Sequence, residues 1–318
     1  MMTINILAKS KKQKEKNKET ILKNIKKHPA LYAMIALPAL LFLVFDYFPM
    51  YGLIIGFKEY DLLEGIMGSP WVGLKHFKSF FNDPYCYRLI KNTLLTGTYS
   101  LLWSFWPPIV LAILLNEVSN VKFRKTVQTI TYLPHFISTV VIVGMMMELF
   151  GANGIINSII KAFGHEPIYF FNESSWFRPL YIGSGIWSGV GYNSIIFMAA
   201  LAGIDQEQFE AAFIDGANRF QRILYITLPG LAPTVTIMLI MRASSIVTVG
   251  FEKVYLMYSP ATYETADVIT TYVYRRGLGG GYNFGYSTAI GLINGVTSCI
   301  IICLTNYLAG KISENSLW

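Results

Sequence analysis

Residues 202–229 read AGIDQEQFEAAFIDGANRFQRILYITLP, a polar stretch set between two long apolar runs. Asp205 followed three residues on by Gln208 resembles a capping box, Phe209, Ala212 and Phe213 fall at i, i+3 and i+4, and Gly216 is placed to stop the helix. A second helical pattern follows, with Phe220, Ile223, Leu224 and Thr227 at i, i+3, i+4 and i+7, ending before Pro229 at an expected membrane boundary. Taken alone, this helix-turn-helix fits a loop lying on a surface as well as it fits a docking element.

The flanking runs settle the solvent. A spanning helix needs about 20 apolar residues to cross a hydrocarbon core of about 30 Å. Six such runs occur, near Tyr32–Ile55, Thr93–Leu115, Ile130–Phe150, Leu180–Leu201, Leu231–Gly250 and Thr288–Leu308. With 53% hydrophobic and only 14% charged residues, a chain of 318 residues lacks the polar surface of a water-soluble globule. The expected fold class is therefore an all-α polytopic membrane protein with six transmembrane helices. Pro38, the Pro107-Pro108 pair, Gly144, and Gly185 with Gly189 lie inside these runs, where lipid tolerates them if neighbouring helices pack closely.

Charge gives an orientation. Of the 26 Lys and Arg residues, nine precede position 28, which favours a membrane topology over a nucleic-acid groove. Six crossings place both termini on one side; fifteen basic residues then lie on the side of the tail, ten on the other, and Arg242 falls inside the fifth run. That excess has the sign of the positive-inside rule, so both termini and the 202–229 loop are expected in the cytoplasm. The tract Lys9–His28 reads as a solvated tail with a short helix around Ile21 and Ile25, and the run from Leu31 as a retained anchor rather than a cleaved leader. Cys86, Cys299 and Cys303 have neither disulfide nor metal-ligand spacing and read as small apolar fillers.

Within the loop, Glu210-Ala211-Ala212, Asp215-Gly216-Ala217 and then Ile226, Leu228 and Pro229 resemble the EAA signature of binding-protein-dependent ABC importer permeases. The glycine four residues after the second alanine matches the family pattern. Trp71-Val72-Gly73-Leu74 with His76-Phe77, the run Tyr132-Leu133-Pro134-His135-Phe136-Ile137-Ser138, and Phe251 to Met257 with Asp267-Val268-Ile269 are similar to the LplB-type branch, permeases for polysaccharides or oligosaccharides.

This resemblance implies a type I, MetI-like transmembrane domain over 92–310, with residues 202–229 as a coupling loop for an ATPase. Ahead of that domain stand a cytoplasmic Lys-rich tail (1–30) and a first transmembrane helix with an extracellular loop (31–91); a cytoplasmic C-terminus (311–318) follows it. The resemblance assigns ATPase coupling to Glu210, Ala211, Ala212, Asp215, Gly216 and Pro229. It also implies the partners: a second homologous permease, two ATPase subunits, an extracellular lipid-anchored solute-binding protein and an oligosaccharide substrate. ATP and Mg would then sit on the ATPase subunits, with no cofactor on this chain. The sequence agrees in lacking a GxxxxGK[ST] loop, and residues 277–281, RRGLGGGYNFGY in context, read as an exposed flexible loop. His28, His76, His135 and His165 form no metal-binding spacing, and no Ser/His/Asp constellation is identifiable.

A substrate path is sketched by Trp187, Tyr192, Asn193, Ser244, Ser245 and Asn294, aromatic faces and hydrogen-bonding groups on the fourth to sixth spans. Arg242 is costly inside a membrane unless it has a partner or faces a cavity. Two readings stay open: an ion pair with Glu252, Asp46 or a partner permease, or a ligand for a carboxylate that would select acidic glycans. Two further function classes are weighed against an importer. A membrane-embedded enzyme would need carboxylates or histidines inside the spans, where only Asp46, Glu148 and Glu252 stand near ends. A channel or secondary transporter would commonly show intramembrane acids or an inverted repeat, and none is visible. ATP hydrolysis that depends on partner subunits separates the importer from both.

Overall fold

A computed structural model of the chain describes residue 24 and residues 27–312, with the side chains of Ser244 and Ile312 left aside. The Lys-rich tract, its expected short helix and residues 313–318 lie outside the described residues. Contacts divide the chain into two units, residues 1–54 and 55–318.

The first unit holds α1 (Pro29–Phe57, continuing three residues past the division), a helix of mean hydropathy 2.0 with Pro38 inside it. It widens into a π turn at Leu43–Tyr47 immediately before Pro49. Proline has no N–H for the carbonyl four residues back and its ring crowds that carbonyl, so the local ladder loosens there.

Among the described residues the second unit has helices, turns and loops, and its only β pairing is an isolated bridge between Lys58 and Trp71. In chain order it contains α2 (Lys75–Phe81), α3 (Cys86–Glu117), α4 (Val121–Tyr132), α5 (Thr139–Phe150), α6 (Ile155–Ala162), α7 (Ser174–Ala202) and α8 (Gln206–Ile214). Then come α9 (Arg219–Ala243), α10 (Phe251–Met257), α11 (Ile269–Gly277) and α12 (Phe284–Ile312). Among the described residues six segments are long and apolar enough to cross a membrane, and in none is more than 28% of the apolar window buried by protein. Such surfaces, Trp103, Trp106, Val110 and Leu114 among them, need lipid or another chain as solvent.

α3 and α7 form the spine, running in the same direction with Asn92 beside Arg178 near one end and Phe105 edge-on to Phe197 toward the other. Phe105, Ile109, Ala112, Phe197, Leu201 and Leu231 bury one another near the C-terminal ends of the pair. At the opposite end Phe80, Leu89, Tyr272 and Ile290 form a second core, and Val143, Phe177, Val254 and Val268 a third. Two glycines permit the closest approaches: a Cβ at Gly97 would stand 1.9 Å from the Ile246 carbonyl oxygen, and one at Gly191 2.2 Å from that of Thr131. Gly144 has nothing near its missing Cβ, and Gly185 and Gly189 meet only side-chain nitrogens of Lys253 and Asn193, so the expected GxxxG pair does not mediate a backbone contact.

Phe80 is fully buried against Leu89 and Ile290 and ties α2 into the main body. Two expected boundaries move. The third run is broken: the basic stretch forms amphipathic α4, Leu133–Phe136 turns as a 3-10 helix at Pro134, Ser138 caps α5 through the Val141 amide, and the apolar segment is Thr139–Ala162. The fifth helix begins at Arg219 and ends at Ala243, so Val247 to Gly250 lie beyond it. It passes through Pro229 by means of a second π turn, Ile223–Thr227, placed before its proline just as in α1.

Candidate functional site

The loop at the C-terminal end of α7 is built from strong local signals. Asp205 starts α8 by accepting the Glu207 amide proton at 3.0 Å; the Gln208 half of the expected capping box is not made. The helix stops at Gly216, whose φ of +77° lies in the left-handed region. There the Gly216 amide donates to the Phe213 carbonyl at 3.1 Å and the Ala217 amide to the Ala212 carbonyl at 2.9 Å, the paired bonds of a Schellman cap. Two residues later a full capping box opens α9: the Gln221 amide donates to Asn218 Oδ1 at 2.9 Å, and the Asn218 amide to Gln221 Oε1 at 2.8 Å. Arg222 lies 6.0 Å from the Phe213 ring centre, bridging the two helices. Ile204 anchors the root by packing on Gly230 and the Leu201–Leu231 core.

Among its exposed residues this loop carries several large apolar side chains. Phe209 and Ala212 are half-buried, whereas Phe213, Ile214, Phe220 and Tyr225 are 70%, 84%, 71% and 72% exposed. Glu210, Ala211, Asp215, Gly216 and Pro229 are exposed too, and among the described residues neither the Glu210 nor the Asp215 carboxylate has a hydrogen bond or ion pair. Exposed rings and small residues on a rigidly capped two-helix element make a surface fitted to a protein partner. The expected stripe is thus rotated: Phe213 belongs to the open face, and Ile214 joins it.

The substrate-path residues are not gathered into one site. Trp187 lines an apolar cleft of about 320 Å³ with Met145, Met146, Leu149 and Pro179. Tyr192 stacks face to face on His135 with ring centres 3.8 Å apart, a contact made possible by the turn at Pro134. The Asn193 amide lies over Gly189 of its own helix, Ser245 bonds the Arg242 carbonyl, and the buried Asn294 Oδ1 has no donor. Arg242 lies in the last turn of α9, where the helix dipole favours a cation. The Glu252 pairing is not formed, and among the described residues no carboxylate lies within ion-pair distance of Arg242.

A polar cluster at the other end of the spine was not anticipated. Asp267, fully buried, accepts from Arg275 Nη2 at 2.7 Å and from Thr271 at 3.1 Å, with Arg88 Nη2 at 3.6 Å. Asn92, also buried, donates to the Glu264 and Asp267 carbonyls and accepts from Arg178 at 2.9 Å. Asp83 accepts hydrogen bonds from the Tyr272 and Tyr286 hydroxyls, and Arg276 stands 3.8 Å away. Burial disfavours the Arg275 charge, but the bond and charge of Asp267 outweigh it and hold the guanidinium above its ordinary range. Asp267, Thr271 and Arg275 at i, i+4 and i+8 were the available sequence signal.

The family model of the binding-protein-dependent transport system inner membrane component matches residues 108–314. The chain belongs to this family. The permease is 41% identical over 295 residues to Protein LplB of Bacillus subtilis, covering 92% of each chain. It is likewise 41% identical over 307 residues to the polygalacturonan/rhamnogalacturonan transport system permease protein YteP of Bacillus subtilis, covering 96% of this chain and 95% of that one. Among solved structures, a chain of a bacterial ABC transporter involved in the import of the acidic polysaccharide alginate superposes with a TM-score of 0.85 at 41% identity, over 92% of this chain and 99% of that one. A methionine ABC transporter chain with a TM-score of 0.53 at 14% identity shares the fold alone. The permease is therefore a multi-pass membrane protein of the type I, MetI-like architecture.

Proposed function

We propose that this permease is the membrane-spanning subunit of an ATP-driven importer that moves oligosaccharides, acidic glycans among them, across the cytoplasmic membrane. Its neighbours would be a second homologous permease, two ATPase subunits that hold ATP and Mg, and an extracellular lipid-anchored solute-binding protein. One observation carries the reading: the open face of α8, with Ala211, Phe213 and Ile214 outward, sits next to α9, which continues without a break into the fifth span. Over 25 residues such a helix is about 37 Å long.

The geometry supports a mechanism. An ATPase cleft that takes up α8 would use the exposed rings for affinity and Ala211 for close approach. Closure of the ATPase pair would displace α8, and the Schellman cap and Asn218 box keep that displacement from being absorbed by a slack loop. α9 would pass it across the membrane to Arg242 and Ser245. The effector shifts the equilibrium between inward- and outward-open bundles only as far as it contacts the two differently. Glu210, Ala212, Asp215, Gly216 and Pro229 complete the coupling element in this account. Trp187, Tyr192, Asn193, Ser244, Ser245, Arg242 and Asn294 remain the residues proposed for the path, with both termini and the α8 loop cytoplasmic.

The oligosaccharide assignment rests on two kinds of support. The relatives named for glycan transport are similar along nearly the whole chain, and two of them carry polymers of sugar acids by name. The test is to purify the permease from its native membrane with whatever co-purifies, place the assembly in liposomes and measure uptake. ATP-dependent accumulation of a glycan that requires an added binding protein is expected. Uptake driven by an ion gradient without ATP, or glycan chemistry with no net transport, would sink the proposal.

A further inference from the structure

The end of the spine opposite α8 carries a pocket that the coupling mechanism leaves unused. It has a volume of about 560 Å³, in the range of small-molecule sites, and is walled by Tyr85, Arg88, Tyr263, Tyr272, Arg275 and Arg276. α7 places some 29 residues, about 43 Å of helix, between this end and the α8 loop. If the loop is cytoplasmic, the pocket is extracellular.

Its charges are segregated by depth. The Asp267 side chain is 0% exposed and that of Asp83 9%, while the side chains of Arg88, Arg275 and Arg276 are 34%, 30% and 48% exposed. Three cations stand over two buried anions, so the surface that a ligand meets is positive. Tyrosine faces hold the guanidinium groups in place: Arg88 lies 4.7 Å from the Tyr85 ring centre, Arg275 4.7 Å from that of Tyr263, and Arg276 5.3 Å from that of Tyr272. Arg88 is held loosely, reaching Asp267 only at 3.6 Å, and Arg88 Nε and Arg275 Nη1, both buried, have no acceptor. Residues 278–283 fold back over the rim, with the Leu278 and Gly279 amides bonded to the Tyr274 carbonyl and the Asn283 amide to that of Arg276. The glycine run expected to be a flexible loop is thus a bonded wall of this pocket.

Planar guanidinium forks select planar carboxylates, and tyrosine rings offer flat faces to the C–H surface of a sugar. We propose that this pocket is a reception site for a uronic-acid residue of the incoming oligosaccharide, bound by Arg88 and the exposed edges of Arg275 and Arg276. The inference rests on the oligosaccharide reading above and adds the charge class and the place of first contact. The arginine cluster would take the glycan's carboxylate as it leaves the binding protein, before it reaches the spans.

The experiment compares trigalacturonate with its fully methyl-esterified form, equal in length and uncharged, as substrates of the complete transporter in liposomes. Arg88→Gln is the informative change, because Arg275 still neutralises Asp267; Lys161→Gln, an exposed cation elsewhere on the outer side, is the control. The parent and the Lys161 variant should prefer the acid, and Arg88→Gln should lose roughly tenfold or more of uptake efficiency for the acid while the ester is unaffected. An equal loss for both forms, or no loss for either, overturns the inference while leaving glycan transport intact. A loss traced to weaker capture of the sugar-free binding protein also overturns it, because the carboxylate would then belong to that protein. Uptake of neither form by a parent transporter that accumulates another glycan would overturn this inference, while ATP-dependent uptake of no glycan at all would overturn the oligosaccharide reading as well.

Discussion

Arg275 donates to Asp267 across 2.7 Å, and Asp267 is fully buried beneath Arg88, Asn92 and Thr271. This pair joins α11 to the N-terminal ends of α3 and α7, since Asn92 and Arg178 bond the same short stretch of backbone. A buried carboxylate is tolerable only while its counter-charges stay in place.

Arg275→Leu should therefore destabilise the permease by about 1.5–3 kcal/mol, since Asp267 loses its hydrogen-bonded counter-charge and keeps only Arg88, 3.6 Å away. Asp267→Leu with Arg275→Leu should recover a good part of that loss. Thermal melting of the detergent-solubilised chain measures both. Equal loss in the single and double variants would show that the pair does not act as a unit.

Asp83 adds a pH dependence. Burial raises its pKa, but hydrogen bonds from Tyr272, the Tyr85 amide and Tyr286 and the Arg276 charge together hold it below the ordinary carboxylate range. A depressed pKa contributes stability that is fully present above the unfolded value, about 3.9, and is lost as pH falls through the folded value. Melting temperature should fall in acid below about pH 4, and Asp83→Asn should be less stable at neutral pH with a shallower acid limb. An acid limb unchanged by the substitution would place the sensitivity elsewhere.

The α8 loop separates local from docking effects. Gly216→Val forces a β-branched residue to φ +77° at a cost of about 1–2 kcal/mol and should uncouple transport, whereas Gly216→Asn should retain most of it. Ala211→Trp leaves the chain's own packing alone, because Ala211 is exposed, yet should abolish ATP-driven uptake through overpacking of the partner cleft. Normal uptake by both Gly216→Val and Ala211→Trp would remove the coupling role from this loop.

Orientation is tested by labelling in intact cells, with Cys86, Cys299 and Cys303 first replaced. Single cysteines at Lys122 and Arg219 should resist membrane-impermeant thiol reagents, and those at Asn172 and Leu278 should react. All four side chains are exposed, so protection reports the membrane rather than burial. Labelling at Arg219 from outside would reverse the topology.

The sequence made the α8 loop readable because its determinants are local: Asp205, Gly216, Asn218 and Gln221 act within three or four residues of themselves. Hydropathy likewise located the six apolar segments. It could not place the break after Tyr132 or the end of α9 at Ala243, because a window about 20 residues long averages Leu133–Ser138 and Val247–Gly250 into the apolar runs beside them, although Pro134 is itself a local stop signal. π turns escaped for the opposite reason: Pro229 reads as a stop, yet the widened ladder lets its helix continue, and the turn ahead of Pro49 lies inside an unbroken apolar run. Long-range pairs stayed hidden altogether. Nothing in residues 83–92 announces Asp267 or Tyr272, some 175 to 189 positions away, and Gly97 looks like any small residue until the Ile246 carbonyl lies against it.

The central claim, that the α8 face docks an ATPase, is most directly tested by a photo-crosslinking residue at Phe213 in native membranes. Phe213 is 70% exposed, with Arg222 6.0 Å from its ring centre, so a label there reports what lies beyond the surface. A docked ATPase should give one dominant product, with a subunit carrying a GxxxxGK[ST] nucleotide-binding loop, and no such product should come from the same probe at Leu278. Crosslinking at Phe213 to lipid alone, or to an extracellular protein, would contradict ATPase docking there.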